Sequence, residues 1–386
     1  MPAESSALRV GIDVRPAELA RVGGTSTYVE QLVRALRRVR PDWHLVLLAG
    51  SADAPNRLQD LAEAHGVTWA TTQRRQQTAR IQLEVPKLLT RHGVDVFHSP
   101  GSFVPLAWRG PMVLTVHDLN VLTRPRDWAS PREAARWLEM AVNLPGALLR
   151  PDYLLVGSEH VGSRLRRLLR SRAGRVRVQH YGPGRWSGPG GPSGTSGALA
   201  ARSGPYILHV GEVARRKNLE LLLRSFAEAD LVDDGIDLVL AGRDVAGYSQ
   251  ALRRLAVDLG LGRSVVFVGV VDDPSLRALY AGAQAIVVPS VREGFGLVAV
   301  EAMGAGTPVL AADSGSLPEV LEGAGLLFDP AEPGGLTRCL RQVAQEPDLR
   351  ARLAALGLER SRHFSWDATA QGTARVYEDA TSTTQP

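Results

Sequence analysis

Cysteine is almost absent from this chain of 386 residues. Cys339 stands alone, which excludes an internal disulfide and any zinc site built on a cysteine cluster. Lysine is scarce too: Lys87 and Lys217 are the only two, so nearly all of the 45 basic residues are arginines. No charge sign is in large excess, because 40 acidic residues leave a net charge of +5, and such a balance gives no ground for a nucleic-acid partner. Long apolar runs are missing, and none approaches the roughly 18 residues of a membrane span. Nor does the start read as a secretion signal, since Met1 to Ala7 is polar and the apolar run behind it is only strand length. We therefore expect a cytoplasmic protein, with the inner face of the membrane as an alternative address. A dinucleotide oxidoreductase needs a Gly-x-Gly-x-x-Gly turn after its first strand, and Gly11 with Gly23-Gly24 does not supply one. Asp-x-Asp, a common way of presenting two carboxylates to a divalent ion, is also absent; Asp233-Asp234 and Asp272-Asp273 are adjacent pairs flanking turns.

What the chain has is length and apolar content for two cores, with 44% hydrophobic residues. Strand-like runs recur at Leu8–Val14, His44–Ala49, Val67–Ala70, Val94–His98, Met112–Val116 and Tyr153–Gly157, with helical spacing between several of them. A second series follows at Tyr206–Gly211, Leu238–Gly242, Val265–Val271, Ala285–Val288, Pro308–Ala311 and Leu326–Phe328. Such alternation predicts an α/β chain with parallel sheets, in which ligands sit beyond the carboxyl ends of the strands. Between the series, residues 182–204 are rich in Gly, Pro and Ser and bury no apolar face, so they read as a linker joining domains 1–181 and 205–362. Leu336 to Leu358 reads as helical. A last helix opens at Phe364-Ser365-Trp366-Asp367, within residues 363–386, with Trp366, Ala370 and Tyr377 able to face one way.

Several motifs carry chemistry. The run Ala285–Val288 ends at Pro289 in a loop holding Gly294 and Gly296, and helical spacing begins near Leu297. A helix N-terminus facing a strand end suits an anion such as phosphate, whereas the acceptor-only carboxylates of Glu293 and Glu301 suit sugar and ribose hydroxyls. The turn Arg215-Arg216-Lys217 enters another helix; it is either a solvated charge triplet or a place where cations and a helix dipole act on one anion. Gly23-Gly24 opens a third helix, as a turn needing positive φ or as a point of close backbone approach. His98 and His117 each end a strand, as satisfied strand-end histidines or as ligand contacts. Arg164, Arg166, Arg167, Arg170, Arg172, Arg175 and Arg177 crowd a helix and the turn after it, either as a solvated surface or as a contact with anionic lipid or a lipid-linked phosphate.

Glu-Gly-Phe-Gly-Leu-x-x-x-Glu followed by Ala-Met-Gly-Ala-Gly-Thr-Pro-Val resembles the Glu-x7-Glu signature of the retaining glycosyltransferases of family 4, and His-Ser-Pro, Val-His-Asp and Arg-Lys-Asn are similar to segments of its mannosyltransferase-like members. The resemblance spans about residues 8–380. It implies the GT-B fold, two Rossmann-like doubly wound domains facing each other across a cleft, the first taking the acceptor, the second the nucleotide-sugar, and the terminal helix crossing back to the first. By the same resemblance, the catalytic residues are His117, orienting the donor sugar beside Asp118, and Glu293, binding its hydroxyls. Donor binding falls to Gly23, Gly24, Arg216, Lys217, Gly294, Phe295, Gly296, Leu297 and Glu301, the last at the ribose, and Val266–Val270 lines the base pocket. Many relatives have an arginine where this chain has Glu212, so the phosphates would rest on Arg216 and Lys217. The implied donor is a nucleotide-sugar, with GDP-mannose leading. The implied acceptor is a glycan or lipid-linked sugar, no cofactor is needed beyond the donor, and no metal is essential. The alternative is a non-catalytic sugar-nucleotide binder or interaction protein of the same fold. A phosphorylase of similar architecture would need a cofactor lysine, and neither lysine lies in such a context.

Overall fold

The computed structural model describes residues 7–15, 23–50, 58–61, 64–73, 77–101, 103–119, 131–184 and 204–383, with the side chains of 131–137, 139 and 140 outside that description. The described residues divide into two compact units: those up to 119, 131–181 and those from 366 onward in the first, and 182–365 in the second. Most of the Gly/Pro/Ser-rich stretch read as a linker lies outside the described residues.

The first unit holds a seven-stranded parallel sheet of β1 (Arg9–Asp13), β2 (His44–Ala49), β3 (Val67–Thr71), β4 (Val96–Ser99), β5 (Met112–Val116), β6 (Tyr153–Val156) and β7 (Val176–Val178). The order is β3-β2-β1-β4-β5-β6-β7, so the chain reverses direction across the sheet between β1 and β4. Helix α1 (Gly24–Val39) buries Tyr28, Leu32 and Leu36 completely, each leucine contributing about 2 kcal/mol. Helix α2 (Val85–Arg91) follows a π turn at Arg80–Glu84, then come α3 (Pro131–Leu149) and α4 (Glu159–Leu169), the last capped by Ser158 through Val161 N–H.

The second unit repeats the design with six parallel strands, β8 (Tyr206–Val210), β9 (Asp237–Ala241), β10 (Val265–Gly269), β11 (Ala285–Val288), β12 (Val309–Ala312) and β13 (Leu326–Phe328). Their order, β10-β9-β8-β11-β12-β13, puts the switch point between β8 and β11. Residues such as Ala285–Val288 are buried throughout because helices cover both faces of a parallel sheet, which is why the strand reads as a continuous apolar run. The helices are α5 (Leu219–Glu228), α6 (Tyr248–Asp258), α7 (Asp273–Gly282), α8 (Leu297–Gly304), α9 (Leu317–Leu321), α10 (Gly335–Gln345) and α11 (Pro347–Ser361).

Helix α12 (Trp366–Ser382) belongs to the first unit, where it packs on α1 with Trp366, Ala370 and Tyr377 buried on one face. Arg38 pairs with Asp367, and Arg40 with Glu378, along that contact.

Leu336 to Leu358 is helical except at Glu346: Pro347 lacks an N–H and disfavours helical geometry there, so α10 ends and α11 starts afresh with proline in its first turn. One reading of the sequence is corrected. The arginine-rich stretch is not a helix and turn throughout: Arg170–Arg175 forms a 3₁₀ turn, and Arg177 sits in β7, whose Val-Arg-Val sequence is too short to show a period. Arg166 bonds Glu159, Arg167 the Ser163 carbonyl, Arg172 the Leu149 carbonyl and Arg177 the Gly174 carbonyl, so four of the seven charges are drawn into local structure, while Arg164, Arg170 and Arg175 are exposed. No helix among the described residues is long and apolar enough to cross a membrane.

Candidate active site

At the switch point of the second unit, two strand ends part and leave a crevice. The ladder between β8 and β11 pairs Ile207 with Ala285 and Leu208 with Ile286, and His209 then takes the Val287 carbonyl through its own side chain. Past the strand ends the backbone runs very close. Gly242 has φ +146°, and a Cβ there would stand 1.8 Å from the Gly211 carbonyl oxygen, so no other residue fits.

Lys217 reaches this crevice from the β8 side and Glu293 from the β11 side. After β8 the chain makes a 3₁₀ turn, Arg215–Lys217, and passes through Asn218 in left-handed conformation into α5. After β11 the Glu293 loop is pinned from behind: Ser316 donates its N–H at 3.3 Å and its hydroxyl at 3.2 Å to the Glu293 carbonyl, and Ser314 donates to Val291 O at 2.7 Å. The two side chains form an ion pair, Lys217 Nζ to Glu293 Oε1 at 2.5 Å, with 12% and 15% of their side-chain surfaces exposed. Burial works to raise the Glu293 pKa, but the Lys217 charge and hydrogen bond, with Ser290 and Arg216, hold it below its ordinary value.

The remaining predicted residues of this unit divide. Arg216 does not join the pair but donates to Glu212 at 2.5 Å, and Arg243 donates to the same carboxylate, so Glu212 bridges two guanidinium groups and is held below its ordinary pKa against burial. Arg215 pairs with Glu220 at 3.5 Å and lies over the Tyr248 ring. Gly296, left-handed at φ 94°, caps α8 and turns the chain so that the first N–H groups of that helix face outward from the strand end. Gly294 and Phe295 are buried, and the Phe295 ring packs edge-on against Phe364 at 5.7 Å, so only the backbone here is available to a ligand. Leu297 starts α8 half-buried. Glu301 is apart from Glu293 in its bonding: Tyr280 donates to its Oε2 at 2.7 Å, and Gly184 lies against its other oxygen.

In the first unit, His98 is completely buried at the end of β4, bridging Tyr377 OH at 2.6 Å and Thr115 Oγ1 at 2.7 Å, and burial lowers its pKa to about 3. It is a satisfied core histidine that fastens α12 to the sheet. His117 has both nitrogens engaged as well. A carbonyl can only accept, so Nε2–H donates to Pro100 O at 3.0 Å, and Nδ1 accepts from Tyr181 OH at 3.1 Å. Burial lowers its pKa, with the Pro100 bond and Asp118 acting the other way. The ring is held in an aromatic cage: Tyr28 at 4.9 Å edge-on and Tyr181 stacked on Trp366 at 6.0 Å. Gly23 caps α1, its carbonyl accepting from Thr27 N–H at 3.1 Å and Ser26 Oγ at 2.8 Å, and a Cβ on it would meet open space; Gly24 is the first helical residue.

Two features escaped the sequence reading. His209 appeared only as a member of a strand, although a histidine in the buried run Ile-Leu-His-Val is the signal that could have found it. Asp13 and Arg15 form a buried pair at the end of β1, with two bonds of 2.6 Å, at the switch point of the first sheet.

Residues 22–182 match the family described as Glycosyltransferase Family 4, and residues 198–360 the one described as Glycosyl transferases group 1. A D-inositol 3-phosphate glycosyltransferase of Streptomyces coelicolor is 28% identical over 93% of this chain and 87% of that protein, and one of Nocardioides sp. is 32% identical over 74% and 67%. The O-antigen chain mannosyltransferase B of Escherichia coli is 28% identical over 73% of this chain and 74% of its own length. Among solved structures, sucrose-phosphate synthase from Thermosynechococcus elongatus superposes with a TM-score of 0.76 at 24% identity, over 98% of this chain and 100% of that one. HepE from Anabaena, solved with UDP-glucose, gives 0.72 at 21% identity, over 96% and 100%.

Proposed function

Because this chain belongs to the family-4 type of glycosyltransferases, with the GT-B fold, we propose that it moves a hexose from a nucleotide-sugar onto a hydroxyl of a glycan or lipid-linked acceptor, with retention of anomeric configuration. The observation that carries the reading is the Lys217–Glu293 pair at the mouth of a strand-end crevice. Breaking the sugar–phosphate bond leaves the electron pair on the diphosphate and positive charge on the anomeric carbon. A catalyst must therefore hold cations and N–H donors at the phosphates before the bond breaks. Lys217, the α8 N-terminus and the Arg216 guanidinium supply them; Glu293 binds sugar hydroxyls, which donate to it. The two charges satisfy each other, and an entering donor replaces one contact with two.

Retention follows if the acceptor oxygen attacks the face from which the diphosphate departs, its proton passing to the leaving phosphate oxygen. The charge neutralisation assigned to Lys217 and Arg216 leaves no step needing a divalent ion. His117 orients the sugar; to bond a hydroxyl directly, its ring must exchange Pro100 O or Tyr181 OH for it. In the second unit Gly294–Leu297 and Glu301 complete the donor site, with Glu301, which Tyr280 holds, at the ribose; Gly23 and Gly24 are proposed donor contacts of the first unit. GDP-mannose is the first donor to try, on the likeness to a mannosyltransferase, with UDP-sugars as the alternative. Arg164, Arg170 and Arg175 offer the acceptor's side of the reaction an electrostatic contact with an anionic membrane.

The test is donor hydrolysis and transfer by the purified chain over a panel of nucleotide-sugars, with and without EDTA. Turnover of one donor, unchanged by EDTA and reduced at least about tenfold by Glu293→Gln, is the expected result. A chain that saturates with donor yet neither transfers nor hydrolyses it is a binding protein, and the enzymatic reading fails.

A further inference from the structure

His209 lies at the switch point of the second sheet, 1% exposed, with its ring turned across the gap where β8 and β11 separate. Its Nδ1 is 3.0 Å from the Val287 carbonyl, which can only accept, so the ring proton is on Nδ1 and Nε2 presents a bare lone pair. Burial holds the ring neutral, with a pKa near 4. Among the described residues Nε2 has no hydrogen-bond partner. A buried acceptor left unpaired is destabilising, and it persists where a ligand or a moving group completes it.

The group that can complete it is Lys217. A Cβ on Gly211 would stand 3.6 Å from His209 Nε2 and 3.8 Å from Lys217 Cε, so both side chains border the same point beside that glycine. The ammonium has three donors, and among the described residues only Glu293 accepts from it. We propose that His209 is the positioning residue of Lys217: when a nucleotide-sugar draws Glu293 to its sugar hydroxyls, the ammonium turns to Nε2 and is held there, facing the diphosphate. The proposal rests on the reading of Lys217 and Glu293 as donor ligands. A neutral imidazole suits the task better than a carboxylate, because it takes one N–H of the lysine without cancelling the charge that the phosphates need.

Two substitutions separate this role from simple packing. His209→Asn keeps an amide N–H for Val287 O but is too short to reach the lysine; His209→Gln extends an acceptor toward the Nε2 position and gives up the Val287 bond. Titration calorimetry of the full chain with UDP-glucose and with GDP-mannose reads donor affinity, and thermal melts read stability. For whichever donor the wild type binds, the Asn variant should bind about tenfold more weakly at an unchanged melting temperature. The Gln variant should bind within about twofold of wild type while melting earlier. Lys217→Ala combined with His209→Asn should bind no more weakly than Lys217→Ala alone. The reverse order, with Gln losing affinity and Asn keeping it, would make His209 a packing residue and overturn the proposal. A wild type that binds neither donor removes the donor-site reading itself, and the role of His209 with it.

Discussion

Lys217→Ala tests the site through stability as well as chemistry. The substitution leaves the Glu293 carboxylate, 15% exposed, with the Ser290 hydroxyl and a more distant Arg216 as its stabilising neighbours. Exposed pairs contribute at most about 1 kcal/mol, and breaking a fully buried one costs about 3–5 kcal/mol; a pair exposed to this extent falls between, at about 2 kcal/mol. In a unit of this size that lowers the melting temperature by about 4–8 °C. The pH dependence carries more information. In the wild type the Glu293 pKa is depressed, so its stabilising contribution is present above the ordinary carboxylate value and is lost as pH falls through the folded value. Without Lys217, burial is the leading influence and pushes the pKa up. The ionised carboxylate is then a cost at neutral pH, relieved as pH falls and the group protonates. The gap between variant and wild type should therefore be widest near about pH 7.5 and should narrow toward about pH 5, as read from urea or thermal unfolding at the two values. Sugar transfer should drop at least about tenfold in the same protein. A variant as stable as wild type at neutral pH, or a gap that does not change with pH, would refute the claim that the two groups depend on each other.

Gly315→Ala should disable the site from behind, because at φ +65° a Cβ would stand 2.8 Å from Glu293 O and 2.9 Å from its N; we expect a loss of about 1–3 kcal/mol and a matching fall in donor turnover, and an active, equally stable variant would show that the Glu293 loop tolerates displacement. Glu212→Gln releases Arg216 and Arg243 from a shared carboxylate, so a nucleoside diphosphate should bind about two- to fivefold more tightly by calorimetry, whereas weaker binding would mean that Glu212 serves to aim the two guanidinium groups. Vesicles containing anionic lipid should sediment the protein at low salt, and replacing Arg164, Arg170 and Arg175 with Gln should remove about 1 kcal/mol per charge near the surface; no sedimentation by the wild type at low salt ends the membrane reading.

The fold was legible because parallel strands buried on both faces must be apolar throughout. His44–Ala49, Met112–Val116, Ala285–Val288 and Leu326–Phe328 have the ends expected from their hydrophobic runs alone. What was not legible was anything decided by tertiary context. β7 is three residues long and carries a charge at its centre, so only its neighbour β6 makes it a strand. Residue type also marks Lys217 and Glu293, 76 positions apart, as cation and anion, but their pairing needs the strand order β8-β11 that no local pattern contains. The resemblance gives Arg216 and Lys217 to the same phosphates, but it says nothing of the carboxylates the two side chains bond, which differ. In a 3₁₀ turn adjacent side chains diverge, and Arg216 goes to Glu212.

Both sheets place their buried polar residues by the same rule. Each has the order 3-2-1-4-5-6 when its strands are counted from its own first, the first unit adding one more at the edge. In each, polar side chains collect where strands one and four end: Asp13 and Arg15 after β1 and His98 on β4 in the first, His209 on β8 and Glu293 after β11 in the second. At a switch point the two strands lead to helices on opposite faces, so the space beyond their ends stays unfilled by connections and polar groups can be buried there at low packing cost. The two sites differ in which groups hold one another. His98 has partners on both nitrogens and Asp13 takes a bidentate arginine, so these groups hold one another in the first unit. The second keeps a single exchangeable ion pair above a histidine with one nitrogen unspent. Of two crevices made by one topology, the second is the one with a cation–anion pair that a ligand could exchange, and the proposed donor chemistry rests on that pair.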